Sequence, residues 1–386
     1  MKFTRRQSLS FFGATSLFSL LPFSHLNAAM SSKYLILVEL QGANDGLNTV
    51  IPFGDPNYYK LRPTIGIPKK EILTISDNVG LHFSLKGLAK IYEMGELKIV
   101  QNLGYPNPVL SHFRSIELWE TGGDGKAKGR NGWLNDSLNV IENQRILDGK
   151  AIYLDQSGDV FRGGLDGFYG PNSIGFAAAE LEARDQTVPV PETFGLLADL
   201  MQGRKQNSEK LKQIQNKLSG ANRFSSVGRG NLGAQLSKVC NILSKGVNIP
   251  VLKVAIGSFD THSEQFWRHR DLLRELDESL YETVQALQNI GIWNDTVIMT
   301  YSEFGRRAAE NGSRGTDHGM AAPHFLMGGK LKGGFVGEVP NLGRLRNNNL
   351  EFEIDYRTVY ETVLREHFGL DDNPFQKYQN KGLFSL

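Results

Sequence analysis

Cysteine is almost missing from this sequence. Cys240 stands alone among 386 residues, which excludes an intrachain disulfide and any cluster of thiolate metal ligands. A long apolar run is missing as well: the one candidate, Phe11 to Phe23, is interrupted by Gly13 and Pro22 and is too short to hold a membrane span. No basic stripe argues for nucleic acid, and no acidic block argues for a disordered tail. The formal charge is +2, but Lys2, Arg5 and Arg6 lie within the first 29 residues, which contain no acid, so the remainder carries −1. What is present is ordinary globular composition, 40% hydrophobic and 22% charged, sufficient for one large core or two domains.

Thr4-Arg5-Arg6-Gln7-Ser8-Leu9 reads as a twin-arginine motif ahead of that weakly apolar stretch, and Ala28-Ala29 offers a cleavage site. The expectation is a signal peptide over residues 1–29, export by the twin-arginine translocase, and a periplasmic or secreted protein made of residues 30–386 with no stable membrane span. That route carries proteins already folded, so metal or cofactor assembly in the cytoplasm is compatible with it.

Continuous apolar runs of strand length recur along the chain at Tyr34–Leu40, Leu97–Leu103, Ala151–Leu154, Val251–Ile256, Thr296–Tyr301 and Pro323–Met327. Between them, helical spacing predicts helices over 83–94, from Ser111 onward with Phe113, Ile116 and Trp119, over 264–288, and over 354–368. A long polar helical stretch from Glu192 to Gly246 is broken at 228–233, and residues 122–250 are where a helical insertion or cap would lie. Residues 54–80, with Pro56, Pro63 and Pro68 and no period, read as surface loop. Strands alternating with helices give an α/β fold, in which ligands bind at the carboxyl ends of the strands.

Those ends are where the polar residues collect. The first run ends in a glycine-bearing turn with Asp45, either a ligand or an Asx turn. Ser111 starts a helix after the second, as a nucleophile beside free N–H groups or as an ordinary N-cap. Asp260 and His262 follow the fourth, spaced so that an extended segment turns both the same way. Glu303 and Arg306 follow the fifth, and the next loop brings Asp317 and His318. Oxygen and imidazole donors without cysteine suit zinc, manganese, iron, calcium or magnesium, and flanking Arg114, Arg306 and Arg307 suit a phosphate or sulfate oxyanion. His82, His269, His324 and His367 read as packing or surface histidines, His324 being the one to watch. Trp119, Trp133, Trp267 and Trp293 read as core or rim, with Trp133 able to line a cleft.

The leader with TRRQSL, then LVELQGANDGLNTVIP, NPVLSHFRS, GSFDTHSEQ, TYSEFGRRAAENGSRGTDHG and DYRTVYETVL resemble the twin-arginine-exported bacterial DUF1501 family. That family is similar in fold to the alkaline phosphatase and sulfatase superfamily, which implies a mixed, mostly parallel sheet sandwiched between helices in a single domain over 30–386. The resemblance implies divalent metal ions, zinc among them, with Asp45 at one site and Asp260, His262 and His318 at a second. Ser111 matches the nucleophile at a helix start, and His112, Arg114 and Arg306 would hold the transferred group. The chain departs from the pattern at Ser302-Glu303, where the superfamily's phosphatases carry Asp-His, leaving Glu303 as the replacement ligand. It also lacks the proline of the sulfatase motif after Ser111. The expected function is hydrolysis of a small phosphate or related oxyanion ester. The alternatives are a sulfatase-like hydrolase and a non-catalytic binding protein of the cell envelope.

Overall fold

Leu35 and Leu37 point to one side of the first strand, Ile36, Val38 and Leu40 to the other, and all five are buried. A strand apolar on both faces must be covered on both, and the protein does so with a central sheet between two helical layers. The computed structural model describes residues 32–127, 131–164, 166–171 and 195–380, with side chains described from residue 205 in the last stretch. The predicted leader and its motif lie outside the described residues.

The strands in chain order are β1 Tyr34–Leu40, β2 Val50–Ile51, β3 Leu73–Thr74, β4 Gly80–Leu81, β5 Leu97–Gly104, β6 Ala151–Tyr153 and β7 Phe168–Tyr169. They continue with β8 Val251–Ile256, β9 Thr296–Tyr301, β10 Gly305–Arg306, β11 His318–Gly319, β12 Ala322–Gly328, β13 Gly334–Val336 and β14 Ile354–Asp355. The helices are α1 Asn57–Leu61, α2 Lys86–Glu93, α3 His112–Thr121, α4 Asn135–Gln144, α5 Gly195–Leu218, α6 Gly230–Ser244, α7 Gln265–Asn289 and α8 Tyr356–Thr362.

The nine-stranded central sheet runs β13-β5-β12-β9-β1-β8-β6-β7, with β14 also on β5. Only β12 runs against its neighbours, so the sheet is mixed and mostly parallel. One face packs on α2, α6 and α7 through residues such as Leu88, Leu236, Leu276 and Leu280. The other packs on α3, α4 and α8 through Leu118, Trp119, Leu138, Val359 and Tyr360. Each such side chain removed from water contributes about 1.5–3 kcal/mol. No helix among the described residues is long and apolar enough to cross a membrane.

Four local expectations are corrected. Residues 54–80 are not a loose surface loop, since Tyr58, Arg62, Ile65 and Ile67 are buried there. The helix expected over 354–368 is α8, preceded by the β14 pairing and followed by a π turn over Val363–His367. Phe113 is not turned inward: it is 90% exposed, because it lies in the first turn of α3, at the sheet edge. Of the tryptophans, Trp119, Trp133 and Trp293 are buried, with Trp133 stacked on Tyr360 at 4.0 Å rather than lining a cleft, while Trp267 is exposed. The stretch 122–250 contributes β6 and β7 to the central sheet as well as α4, α5 and α6.

Candidate metal centre

The parallel strands β1, β8 and β9 lie side by side, so the loops after their carboxyl ends meet at one edge. Gly42, at φ 101°, allows that meeting: a Cβ there would lie 2.5 Å from the Asp260 backbone nitrogen. Non-glycine residues in left-handed backbone ring the same edge, at Ala43, Ser258, Glu264 and Arg314. Such conformations cost energy and concentrate where a fold holds side chains for function.

Three imidazoles and a carboxylate converge there. His318 Nε2 is 3.2 Å from His112 Nε2 and 3.0 Å from His262 Nε2. Asp260 reaches all three, with Oδ1 at 3.0 Å from His262 Nε2 and 3.5 Å from His318 Nε2, and Oδ2 at 3.5 Å from His112 Nε2. One ligand atom from each of His112, Asp260 and His318 falls within a mutual 4.8 Å.

The far side of each ring decides what the near side can be. His318 Nδ1 is 2.9 Å from the Leu110 carbonyl, which can only accept, so Nδ1 carries the proton. His112 Nδ1 is 2.7 Å from Glu303 Oε1, and His262 Nδ1 is 3.5 Å from Asp317 Oδ1. Burial pushes the Glu303 carboxyl up, but the hydrogen bonds from His112, Ser302 and the Gly42 N–H outweigh it and hold it ionised. His318 therefore turns an Nε2 lone pair toward the Nε2 atoms of His112 and His262, an arrangement that needs a proton or a cation between them. A ligating histidine characteristically donates its other N–H to a carboxylate or carbonyl, as all three do here. The residues present fit a divalent metal ion.

The expected site residues are placed as follows. Asp260, His262 and His318 come together. His112, expected to hold a transferred group, joins them as a fourth donor. Glu303 and Asp317, expected as ligands, stand behind His112 and His262 instead. Asp45 does not join: it is fully buried, paired with Arg62 Nη1 at 2.5 Å and Nη2 at 2.9 Å, and also accepts from Gln265. Burial pushes its carboxyl up, but Arg62 wins and holds it below the usual range. Arg306 is buried and donates to the Ala43, Thr316, Gly42 and Phe259 carbonyls and to Asp260 Oδ1, which leaves it as a brace for the cluster rather than a clamp for substrate. Arg114 is paired with Glu117 at 2.6 Å. Ser111 is exposed at the N-cap of α3 and makes no capping hydrogen bond, so its hydroxyl is not held by the helix start.

Sequence reasoning passed over the Leu110 carbonyl and the Gly42 N–H, backbone groups with no residue signature, and Arg62, hidden in a proline-rich stretch. The other four histidines among the described residues are all buried packing residues. His269 Nε2 is 2.8 Å from Asn44 Oδ1, His367 Nε2 is 2.9 Å from the Tyr34 carbonyl, His82 Nδ1 accepts from the Ser84 N–H, and His324 packs on Trp119.

The sequence matches the model of a family described as a protein of unknown function, DUF1501, over residues 92–386. The chain belongs to the DUF1501 family. Comparison with curated proteins gives no match. Among solved structures, this DUF1501 protein is similar to a protein in the alkaline phosphatase superfamily from Vibrio parahaemolyticus, at 12% identity and TM-score 0.37, over 80% of this chain and 63% of that one. It thus spans less than two thirds of the Vibrio protein's length. It is similar to the lipoteichoic acid synthase LtaP from Listeria monocytogenes at 13% identity and TM-score 0.38, over 81% and 69% of the two chains. It is similar also to the PsFucS1 sulfatase from Pseudoalteromonas sp. at 14% identity and TM-score 0.42, over 93% and 73%.

Proposed function

We propose that this protein is an exported, periplasmic or secreted, metal-dependent hydrolase of phosphate or related oxyanion esters. The observation that carries the reading is the meeting of His112, His262, His318 and Asp260, each imidazole oriented by a partner on its far nitrogen. His112, Asp260 and His318, whose ligand atoms lie within a mutual 4.8 Å, would hold one divalent cation with His262 alongside, and imidazoles with a carboxylate suit zinc. When bound, such an ion supplies Lewis acidity toward an ester oxygen and lowers the pKa of an oxygen nucleophile.

The chain's own groups have separate parts. Ser111, exposed and beside His112, is the candidate nucleophile, with the start of α3 offering N–H groups to an anion. Glu303 fixes the His112 tautomer, and Arg306 fixes Asp260. With Asp45 bound to Arg62, the second metal implied by the family resemblance has lost its first ligand, so the reading is for one cation. The same fact favours the alternative, a non-catalytic binding protein, which would keep the fold without turnover.

Elemental analysis of the purified exported protein, beside the double variant Asp260→Ala/His318→Ala, tests the centre. One tightly bound divalent metal per chain in the wild type, missing from the variant, is expected. Phosphate- and sulfate-ester turnover that falls at least tenfold in Ser111→Ala is expected of the hydrolase (about 1.4 kcal/mol or more of transition-state stabilisation). Metal without turnover on any ester favours the binding protein, and wild type that stays metal-free after reconstitution sinks both uses of the centre.

A further inference from the structure

Between α2 and α7, on the sheet face opposite α3, lies a cavity of about 460 Å³. Gly87 sets the approach of the two helices. A Cβ there would lie 2.5 Å from Tyr281 Cβ, and without one Asp277 accepts from the Gly87 and Leu88 N–H groups at 2.8 Å each. Asp277 stands about 18 Å along α7 from Gln265, at 1.5 Å of rise per residue. The cavity shares no residue with the histidine cluster.

The charges around this cavity divide by what already holds them. Asp277 is taken by the start of α2, Glu278 pairs with Arg229 at 3.4 Å, and Glu282 accepts from the Gly228 N–H at 2.6 Å. The cations are uncommitted: among the described residues no carboxylate lies within ion-pair distance of Lys86, Lys90 or Arg274. Arg274 is half-buried, and Lys90 holds its ammonium 5.0 Å from the centre of the Tyr281 ring. Glu71, exposed, is the remaining acid of the lining, so uncommitted positive charge is in excess. A second observation points the same way. Ser84, in the cavity wall, is 9% exposed and its hydroxyl has no hydrogen-bond partner. A buried polar group left unpaired is costly and calls for a ligand or a water. Phe83 and Tyr281 add aromatic surface, and a largely apolar wall with a few placed polar groups is the ordinary make-up of a small-molecule site.

We propose that the cavity between α2 and α7 is a second binding site, which takes a small organic anion carrying a ring and a doubly charged phosphoryl head group. The Arg274 guanidinium suits the head group, because its planar fork offers two parallel N–H donors to two oxygens of one oxyanion. Lys86 and Lys90 add point charges beside it, and the ring lies against Phe83 and Tyr281. The ring is required by size, since a bare inorganic anion leaves most of 460 Å³ unfilled. Touching both helices, the ligand stabilises the folded chain by mass action.

The test uses phenylphosphonate, which carries ring and head group but no ester to hydrolyse, at slightly alkaline pH where it is doubly charged. Calorimetry is run on the full chain as wild type and as Asp260→Ala/His318→Ala, which removes the histidine centre as a rival anion site. Saturable binding is expected in both. In that double-variant background, Arg274→Gln should weaken it about tenfold or more, the loss expected for a charge-assisted hydrogen bond. Lys86→Gln/Lys90→Gln should act in the same direction. Arg270→Gln, which removes equal charge from a pair with Asp271 on the same helix, should change nothing. Phenylphosphonate should also raise the thermal unfolding midpoint of wild type by more than that of Arg274→Gln, and the two midpoints without ligand show that the variant folds. Inorganic phosphate should bind more weakly than phenylphosphonate, and equal affinity overturns the requirement for a ring. No binding to wild type overturns the site. So does binding lost in Asp260→Ala/His318→Ala but kept in Arg274→Gln, which would assign the anion to the histidine centre.

Discussion

His112 and His318 face each other through Nε2 atoms 3.2 Å apart, while Nδ1 of each is committed to a partner on its far side. At low pH a proton on His112 fills the gap. The hydrogen bond to Glu303 raises that ring's pKa despite the opposing effect of burial, and burial lowers that of His318. A metal ion competes with this proton, so cation binding should release protons and weaken by about tenfold per pH unit for each proton displaced. Calorimetry of zinc binding in buffers of different ionisation enthalpy measures the release. Zinc binding with no proton release at pH 6 would show that Nε2 of His112 is not a ligand.

Glu303 sets the His112 tautomer without touching the centre of the cluster. Replacing a partner of this kind typically costs 10- to 100-fold in metal affinity. Glu303→Gln should therefore weaken zinc binding by roughly that factor while the protein keeps its fold. A complete loss equal to that of His318→Ala would instead make Glu303 a direct ligand.

Asp45 and Arg62 form a buried pair, so the two residues should behave as a unit of stability rather than of catalysis. Arg62→Met leaves a buried carboxylate without its cation and should cost about 3–5 kcal/mol in denaturant unfolding. Asp45→Asn/Arg62→Met should recover part of that loss, and both variants should retain metal in their folded fraction. Stoichiometric loss of metal on Asp45→Asn alone would restore Asp45 as a ligand.

Burial holds four packing histidines neutral: His82 and His324 are pushed down to about 3, and His269 and His367 to about 4. Their unfolded counterparts titrate near 6.5. Above that pH neither state is charged, so nothing is lost. As pH falls below it, the unfolded chain takes up protons that the folded chain refuses, and stability declines by about 1.4 kcal/mol per unit for each histidine. Asp277 and Glu120, which burial pushes up to about 6 and about 8, oppose this with one proton each held by the folded state. Net proton uptake on unfolding should therefore be measurable between pH 6.5 and 4.5, and His324→Gln should reduce it. A flat stability profile across that window would contradict the burial of these rings.

How legible the site was depended on which kind of group makes it. β8 and β9 begin and end where their apolar runs do, and the alternate-residue spacing of Asp260 and His262 did bring them within 3.0 Å of each other. His112, Glu303 and Asp317 stand in other places than expected, because a strand-end position says only that a side chain reaches the edge. It does not say whether that side chain meets a metal or stands behind the residue that does. Leu110 and Gly42 act through backbone atoms and leave no trace in residue type. The start of α2 shows the same limit. No side chain of its own segment caps it, and the N–H groups of Gly87 and Leu88 are bound by Asp277 of α7, far away in sequence.

Beneath the site lies a buried cluster of one ammonium and three carboxylates. Lys253 of β8 is fully buried and its ammonium contacts Glu39 at 2.7 Å, Asp155, and Glu120 of α3 at 3.8 Å. Three carboxylates cannot all stay ionised around one ammonium. Burial pushes Glu120 up to about 8, despite the nearby Lys253, so at neutral pH it holds a proton. Lys253→Met should then be severe, about 3–5 kcal/mol or more, because it leaves buried carboxylates uncompensated. Glu120→Gln should be mild, since the amide replaces a group that is already neutral. The pH dependence separates the two further. A carboxyl raised from about 4.5 unfolded to about 8 folded destabilises progressively as pH rises through that interval. Glu120→Gln should remove that decline. Because α3 begins at His112, loosening Glu120 from Lys253 also loosens a proposed metal ligand, so Lys253→Met should lower zinc affinity in whatever fraction folds. Full zinc affinity in that fraction would show that α3 is seated without this cluster.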